Sequence, residues 1–313
     1  MIVTLTPNPS LDKTYHIDAF VHEGVNRVTD VTVEAAGKGV NVARGLYAGG
    51  FETIAVVPIG GSDGRLYEDL MTAAAVPHRA VPIRGNTRSN VSVVERNGAT
   101  TKLNEPGPAL DATEVTSLVE AAAGLCSDGD WLAACGSLPP GVPTDLYGRV
   151  VGRAHEVGAR VAVDASGDAL AEAVKAGPDL IKPNAAELTE LVGRSLSTLD
   201  DVVRACRTLV EGGVGAVLVS LGGDGAVFVD RGEAIHGAAA VDRVRNTVGA
   251  GDTLLAGFLA GGEDRRNALA TALTWARAAV RSPETAMATP SEDDRLAVRL
   301  SERVPRERVV HGT

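Results

Sequence analysis

The sequence predicts an α/β fold, with a mostly parallel central sheet flanked by helices and a small antiparallel β lid. Three observations predict it. Short β-branched runs alternate with longer Ala-rich amphipathic stretches, the rhythm of parallel βαβ units. Residues 13–35 and 86–105 break that rhythm, alternating polar and apolar side chains with no helix between the strands, as a sheet with one solvated face does. The 313 residues, 44% of them hydrophobic, suffice for one large α/β core or two modest ones.

In chain order, buried strands are predicted at 2–5, 53–59, 130–134, 160–164, 179–182 and 214–220, each bounded by Gly, Asp or Pro. The intervening helices are read at 39–49, 64–75, 111–124, 144–158, 185–193, 199–212, 250–260 and 265–281. Residues 227–236 indicate a hairpin at the far edge. Neither lid stretch is long enough to hold a core alone, so the two are expected to fold together over the main sheet, within a single domain spanning 1–313. No internal repeat, low-complexity tract or linker-like run interrupts it.

Composition excludes several functions. Aromatics are 3% and the formal net charge is −10, so there are few rings for base stacking and no basic surplus to displace counterions from a polyanion; composition disfavours nucleic acid as a partner. A small anionic substrate needs only a local basic cluster. Cys126, Cys135 and Cys206 are widely spaced without a C-x-x-C pair, the pattern of reduced thiols and not of a disulfide framework or zinc site. The opening MIVTLTPNPSLDK lacks a basic n-region, and no segment has the roughly 18–20 apolar residues of a membrane span, so a soluble cytoplasmic protein is expected.

Four segments carry chemistry. In NTVGAGDTLLAGFLAG (246–261), Gly249 and Gly251 flank Ala250 immediately before Asp252 and an apolar helix pattern. Glycine lets the backbone approach a ligand, and the first free N–H groups of a helix with its dipole form an anion site. Asp252 there is either a cap or a base that takes a proton from an attacking hydroxyl. In AAGKGVNVARGL (35–46), Gly37, Lys38 and Gly39 lead into a helix; the spacer and Ser/Thr of a Walker A loop are missing. It is either a glycine turn with a solvated lysine or a polar sugar floor, Lys38 supplying a cation and Asn41 both donor and acceptor. In IKPNAAEL (181–188), Asn184 and Glu187 have capping-box spacing. The alternative reading sends Lys182 to ATP phosphates while Asn184 and Glu187 hold the water shell of Mg²⁺. VSLGGDGA (219–226) closes a strand with a glycine-rich turn, either a plain hairpin turn or one that admits a nucleotide.

Taken in order, LTPNPSLDK, VNRV, AAGKGVNVA, TRSNV, NEPGP, CGSLPPGVP, VDASG, IKPNAAEL, SLGGDGA and TVGAGDT resemble the ribokinase-like carbohydrate kinases over nearly the whole chain. They are most similar to the phosphosugar kinase branch containing 1-phosphofructokinase, tagatose-6-phosphate kinase and the minor 6-phosphofructokinase. The resemblance implies a ribokinase-like fold and ATP-dependent, Mg²⁺-assisted phosphorylation of a ketohexose phosphate. It casts Asp252 as the base, with the N–H groups of Gly249, Ala250 and Gly251 as an anion hole. Asp12, Gly37, Lys38, Gly39 and Asn41 match sugar-binding positions. Arg88, helped by Arg27, Lys102 and Ser137, matches the site for the phosphate already on the substrate. Lys182, Asn184, Glu187, Ser220, Gly222 and Gly225 match the nucleotide side, Asn184 and Glu187 acting on the metal through water. The lid is implied to form a homodimer interface.

One departure is Ala36, which stands where many relatives carry glycine; this AAGKG form resembles 1-phosphofructokinases and favours D-fructose 1-phosphate, giving fructose 1,6-bisphosphate. Tagatose-6-phosphate kinase and 6-phosphofructokinase activities are the alternatives. A non-catalytic binder of sugar phosphate or nucleotide is the remote one, opposed by the intact GAGD. A dinucleotide-binding oxidoreductase would need G-x-G-x-x-G after the first strand, and residues 6–13 lack it.

Overall fold

The chain enters the sheet through β1 (Ile2–Leu5), whose four residues are all buried, as a strand covered on both faces must be. The computed structural model describes residues 1–282, 289–301 and 304–310. After β1 come β2 (Ser10–Ile17), β3 (Asp30–Ala36), α1 (Lys38–Ala48), β4 (Thr53–Ile59), α2 (Gly61–Ala73), β5 (His78–Pro82), β6 (Arg88–Glu95), β7 (Thr100–Asn104) and α3 (Ala112–Ala123). Then follow β8 (Trp131–Cys135), α4 (Leu146–Glu156), β9 (Arg160–Asp164), α5 (Gly167–Lys175), β10 (Leu180–Ile181), α6 (Ala185–Val192) and α7 (Leu199–Glu211). The chain continues through β11 (Ala216–Ser220), a 3₁₀ turn (Gly222–Asp224), β12 (Ala226–Asp230), β13 (Ala234–Ala239), α8 (Ala250–Ala260), α9 (Arg265–Arg281), α10 (Glu292–Leu296) and β14 (Val298–Leu300).

The main sheet runs β14-β13-β12-β11-β10-β9-β8-β1-β4-β5. Pairing is parallel from β5 to β11 and antiparallel from β11 to β14. Side chains alternate between two cores with the strand period of two. Val3, Leu5, Leu132, Ala134, Val161 and Val163 join the core under α3 to α7, while Ile2, Ala133, Cys135 and Ala162 face the core built with α8, α9 and part of α1. All three cysteines are free and buried, as their spacing predicts.

The lid is a separate four-stranded sheet, β3-β2-β6-β7. Its two outer pairs are antiparallel, as the alternation predicts, and β2 and β6 meet in a parallel seam with Ser10 opposite Arg88. The predicted hairpin at 227–236 is β12–β13, and β14 covers its outer edge. Four elements escape the sequence reading: the edge strand β5, whose HRAVP has no clean alternation, the nine-residue α5, and the closing pair α10 and β14. Among the described residues, no helix is long and apolar enough to cross a membrane.

Candidate active site

Parallel strands deliver their following loops to one edge of the sheet, and the chemistry-bearing side chains gather there. Asp164 is the last residue of β9, Lys182 follows β10 and Ser220 ends β11. Asp164 is fully buried, with Oδ1 3.0 Å from Lys38 Nζ and Oδ2 3.0 Å from Lys182 Nζ. Burial alone would raise the Asp164 pKa, but the Lys182 and Lys38 ammoniums prevail and hold it below the usual carboxylate range. Burial would likewise lower Lys38, and the Asp164 carboxylate overrides it, raising that ammonium above the ordinary lysine value.

Asp252 sits in the first turn of α8 and is buried. It does not cap its helix: α8 starts at Gly249 in the left-handed region with no side-chain cap. The carboxylate instead accepts a hydrogen bond from Asn41 Nδ2 at 2.8 Å. Burial, with the negative Asp164 nearby, pushes the Asp252 pKa up to about 6, against the opposing pull of Asn41, Lys182 and Lys38. The Ala250 N–H donates to the Thr247 carbonyl at 3.3 Å, and Thr253 N–H bonds back to Gly249 at 2.8 Å, so the N–H groups of Gly251 and Asp252 precede the first intrahelical bond. A Cβ on Gly251 would lie 3.4 Å from Lys182 Nζ, which sets that ammonium beside the same turn.

The capping reading of IKPNAAEL is correct as local structure. Asn184 Oδ1 accepts from Glu187 N and Glu187 Oε2 accepts from Asn184 N, each at 2.8 Å. Beyond this box, Ser220, Gly222, Gly225, Ala250 and Gly251 border a cavity of about 490 Å³ that is lined as well by the apolar Val241, Leu273 and Val280. The two glycine-rich segments thus face one space.

A second cluster lies under the lid. Asp12 Oδ1 accepts from Ser10 Oγ at 2.7 Å and Asn90 Nδ2 at 3.1 Å. Arg88 donates from Nη1 to the Glu105 carbonyl at 2.8 Å and from Nη2 to the Asn8 carbonyl at 3.1 Å, while Asn8 Nδ2 donates to Ser137 Oγ at 3.4 Å. Gly39 has a packing reason as well as a binding one: its Cβ would fall 2.6 Å from Thr6 Oγ1 and 2.7 Å from the Leu5 carbonyl. Gly37 is similarly tight against Thr6. Arg27 and Lys102 are exposed on the lid, and among the described residues no hydrogen bond or ion pair joins them to this cluster.

The sequence reading missed Asp164, the hub of the two lysines, although VDASG ends a buried strand with a carboxylate at the sheet's functional edge. It also passed over Asn8 and Asn90, each inside a quoted string.

The pfkB family carbohydrate kinase pattern matches residues 6–292. The 1-phosphofructokinase of Rhodobacter capsulatus is 37% identical over 260 residues, 82% of this chain and 82% of that protein. The ATP-dependent 6-phosphofructokinase isozyme 2 of Escherichia coli is 37% identical over 257 residues, 81% of this chain and 83% of that one. The crystal structure of Escherichia coli phosphofructokinase-2 in complex with fructose-6-phosphate superposes with a TM-score of 0.86 at 32% identity, covering 94% of this chain and 96% of that chain.

Proposed function

Because the chain belongs to the pfkB family of carbohydrate kinases, we propose that it moves the γ-phosphoryl group of ATP onto a free hydroxyl of D-fructose 1-phosphate. The observation that carries the mechanism is the uncapped, buried carboxylate of Asp252 at the first turn of α8. Its pKa of about 6 leaves it ionised at neutral pH yet basic enough to accept the hydroxyl proton as the oxygen attacks phosphorus. The N–H groups of Gly249 and Gly251 and the Lys182 ammonium oppose the charge that develops on the transferred group, and the Ala250 N–H joins them by giving up its 3.3 Å bond to the Thr247 carbonyl. ADP leaves, and the proton on Asp252 returns to solvent.

Asp12, Gly37, Lys38, Gly39 and Asn41 bind the sugar in this reading, and Arg88, Ser137, Arg27 and Lys102 take its existing phosphate. Arginine suits that role because its fork matches phosphate oxygens. Ser220, Gly222 and Gly225 border the nucleotide cavity, and the apolar wall receives the base. A bound Mg²⁺ would supply charge neutralisation to the ATP phosphates. Among the described residues, no three His, Cys, Asp or Glu side chains group to hold a metal. Glu187 and Asn184 would hold it through water, since their capping box engages only one Glu187 oxygen.

We read 1–313 as one kinase unit. Val25, Val31 and Leu103 are exposed on the lid, which supports a homodimer joined there. Buried reduced cysteines and ATP as co-substrate support a cytoplasmic setting. The deciding experiment is a panel of purified sugar phosphates with coupled ADP detection, alongside sedimentation for the dimer. Fructose 1-phosphate is expected to give the highest kcat/KM. A higher value for fructose 6-phosphate, the substrate class of the Escherichia coli relative, or for tagatose 6-phosphate would reassign the substrate and leave the family unchanged.

A further inference from the structure

We propose that Arg308 is a positioning residue for the nucleotide, acting through Asp224 on the glycine-rich turn, and that residues 304–310 are the strap that carries it. The proposal rests on the reading that ATP occupies the cavity bordered by Gly222 and Gly225. Gly222 and Gly223 line that cavity, and Asp224 closes their 3₁₀ turn. Three glycines in four residues offer no side chain by which the turn can be gripped. At Gly225 (φ 92°) a Cβ would fall 2.0 Å from the Gly237 carbonyl, so no bulkier residue fits. The shape of the turn therefore depends on what holds Asp224.

Among the described residues, two side chains hold it. His236 Nε2 donates to the Asp224 carbonyl at 2.9 Å, and Arg308 Nη2 donates to Asp224 Oδ1 at 3.0 Å. Asp224 is 7% exposed, so bulk water is a poor substitute for the Arg308 guanidinium at its carboxylate.

Arg308 is itself fixed by the backbone of its segment. The Arg308 carbonyl accepts from Leu199 N at 3.0 Å, the Arg306 carbonyl accepts from Asp200 N at 2.9 Å, and Val310 N donates to the Ser197 carbonyl at 3.0 Å. Leu199 and Asp200 supply the first two N–H groups of α7, which have no partner inside the helix. The strap satisfies those donors, and Val304 and Val310 pack on the main core. The first turn of α7 is thereby linked through the Arg308 guanidinium to the glycine-rich turn that borders the cavity.

The test compares Arg308→Met, which keeps the apolar stem, with Arg308→Lys, Asp224→Asn and Arg306→Met in the full chain. Arg306 lies on the same strap but pairs with Asp200 at 3.3 Å, away from the cavity. Titration with ADP and steady-state KM values for both substrates are read with melting curves. Arg308→Met and Asp224→Asn should weaken ADP and raise the ATP KM roughly three- to tenfold, while kcat and the phosphosugar KM stay within about twofold. Arg308→Lys should recover most of the loss, and Arg306→Met should change neither KM. An unchanged ATP KM in Arg308→Met, an equal rise in both KM values, or the same effect from Arg306→Met overturns the proposal. If Arg308→Met does not fold, Asp224→Asn decides by the same criteria. Failure of the parent enzyme to bind ADP would instead strike the functional reading.

Discussion

Asn41 Nδ2 and Asp252 Oδ2 lie 2.8 Å apart, a hydrogen bond that joins the first turns of α1 and α8 across 211 residues of sequence. It gives the carboxylate a donor from another helix in place of its own helix end, so Asn41 orients Asp252 and holds its pKa below what burial and Asp164 alone would set.

Asp252→Asn should separate chemistry from folding. The amide can neither accept the hydroxyl proton nor ionise, so kcat should fall by ~10²–10⁴ with ADP binding retained. The folded carboxylate titrates near 6 against about 3.9 when unfolded, so the native state binds the extra proton between those values and stability falls as pH rises through that window. Above it the cost is fully present. The Asn variant should therefore melt at or above the parent temperature at pH 8, and a lower melting point with normal turnover would falsify the base assignment.

The pH profile of kcat/KM should show an acid limb near 6, set by protonation of Asp252. Asn41→Ala removes a hydrogen bond that favours the ionised form, so the limb should move to higher pH. A limb that stays in place in this variant would detach it from Asp252.

Asp164→Asn leaves Lys182, only 5% exposed, without its counter-charge. Breaking a buried pair from one side typically costs ~3–5 kcal/mol, and the melting temperature should drop by several degrees or more. Because Asp164 also helps to raise Asp252, the acid limb should shift to lower pH. Differential scanning fluorimetry and the pH profile read these two effects separately.

Arg88→Ala should raise the phosphosugar KM far more than the ATP KM, by roughly the 1.5–3 kcal/mol of a charge-assisted hydrogen bond. Equal losses for both substrates would mean that Arg88 serves only to brace Asn8 and Glu105.

Local signals were legible where burial or an apolar face runs through a whole element. Residues 2–5, 53–59, 160–164, 250–260 and 265–281 form their elements at the predicted bounds, because apolar runs or, in 265–281, an apolar helical face, with Gly or Asp punctuation, mark them. The GAGD and GKG segments were legible as candidate chemistry from glycine spacing. Asp164 was not, since a strand-terminal aspartate reads alike whether it faces water or two ammoniums, and Lys38 reaches it across 126 residues. The parallel seam of the lid was hidden for the same reason: alternation fixes which face a side chain takes, and nothing in it says which strand lies beside β2.

The place of β1 in the sheet bears on how the chain is made. One edge of β1 is closed by β4, with Ile2 opposite Thr53, but the other waits for β8, with Ile2 opposite Trp131. On the ribosome, about seventy further residues must emerge after β4 before that second edge is covered, which at ~5–20 residues per second takes roughly 4–14 s. For that interval an apolar strand edge is open to any passing β-segment. Chaperone capture is accordingly expected for nascent chains that end before β8 and should decline once β8 has cleared the exit tunnel.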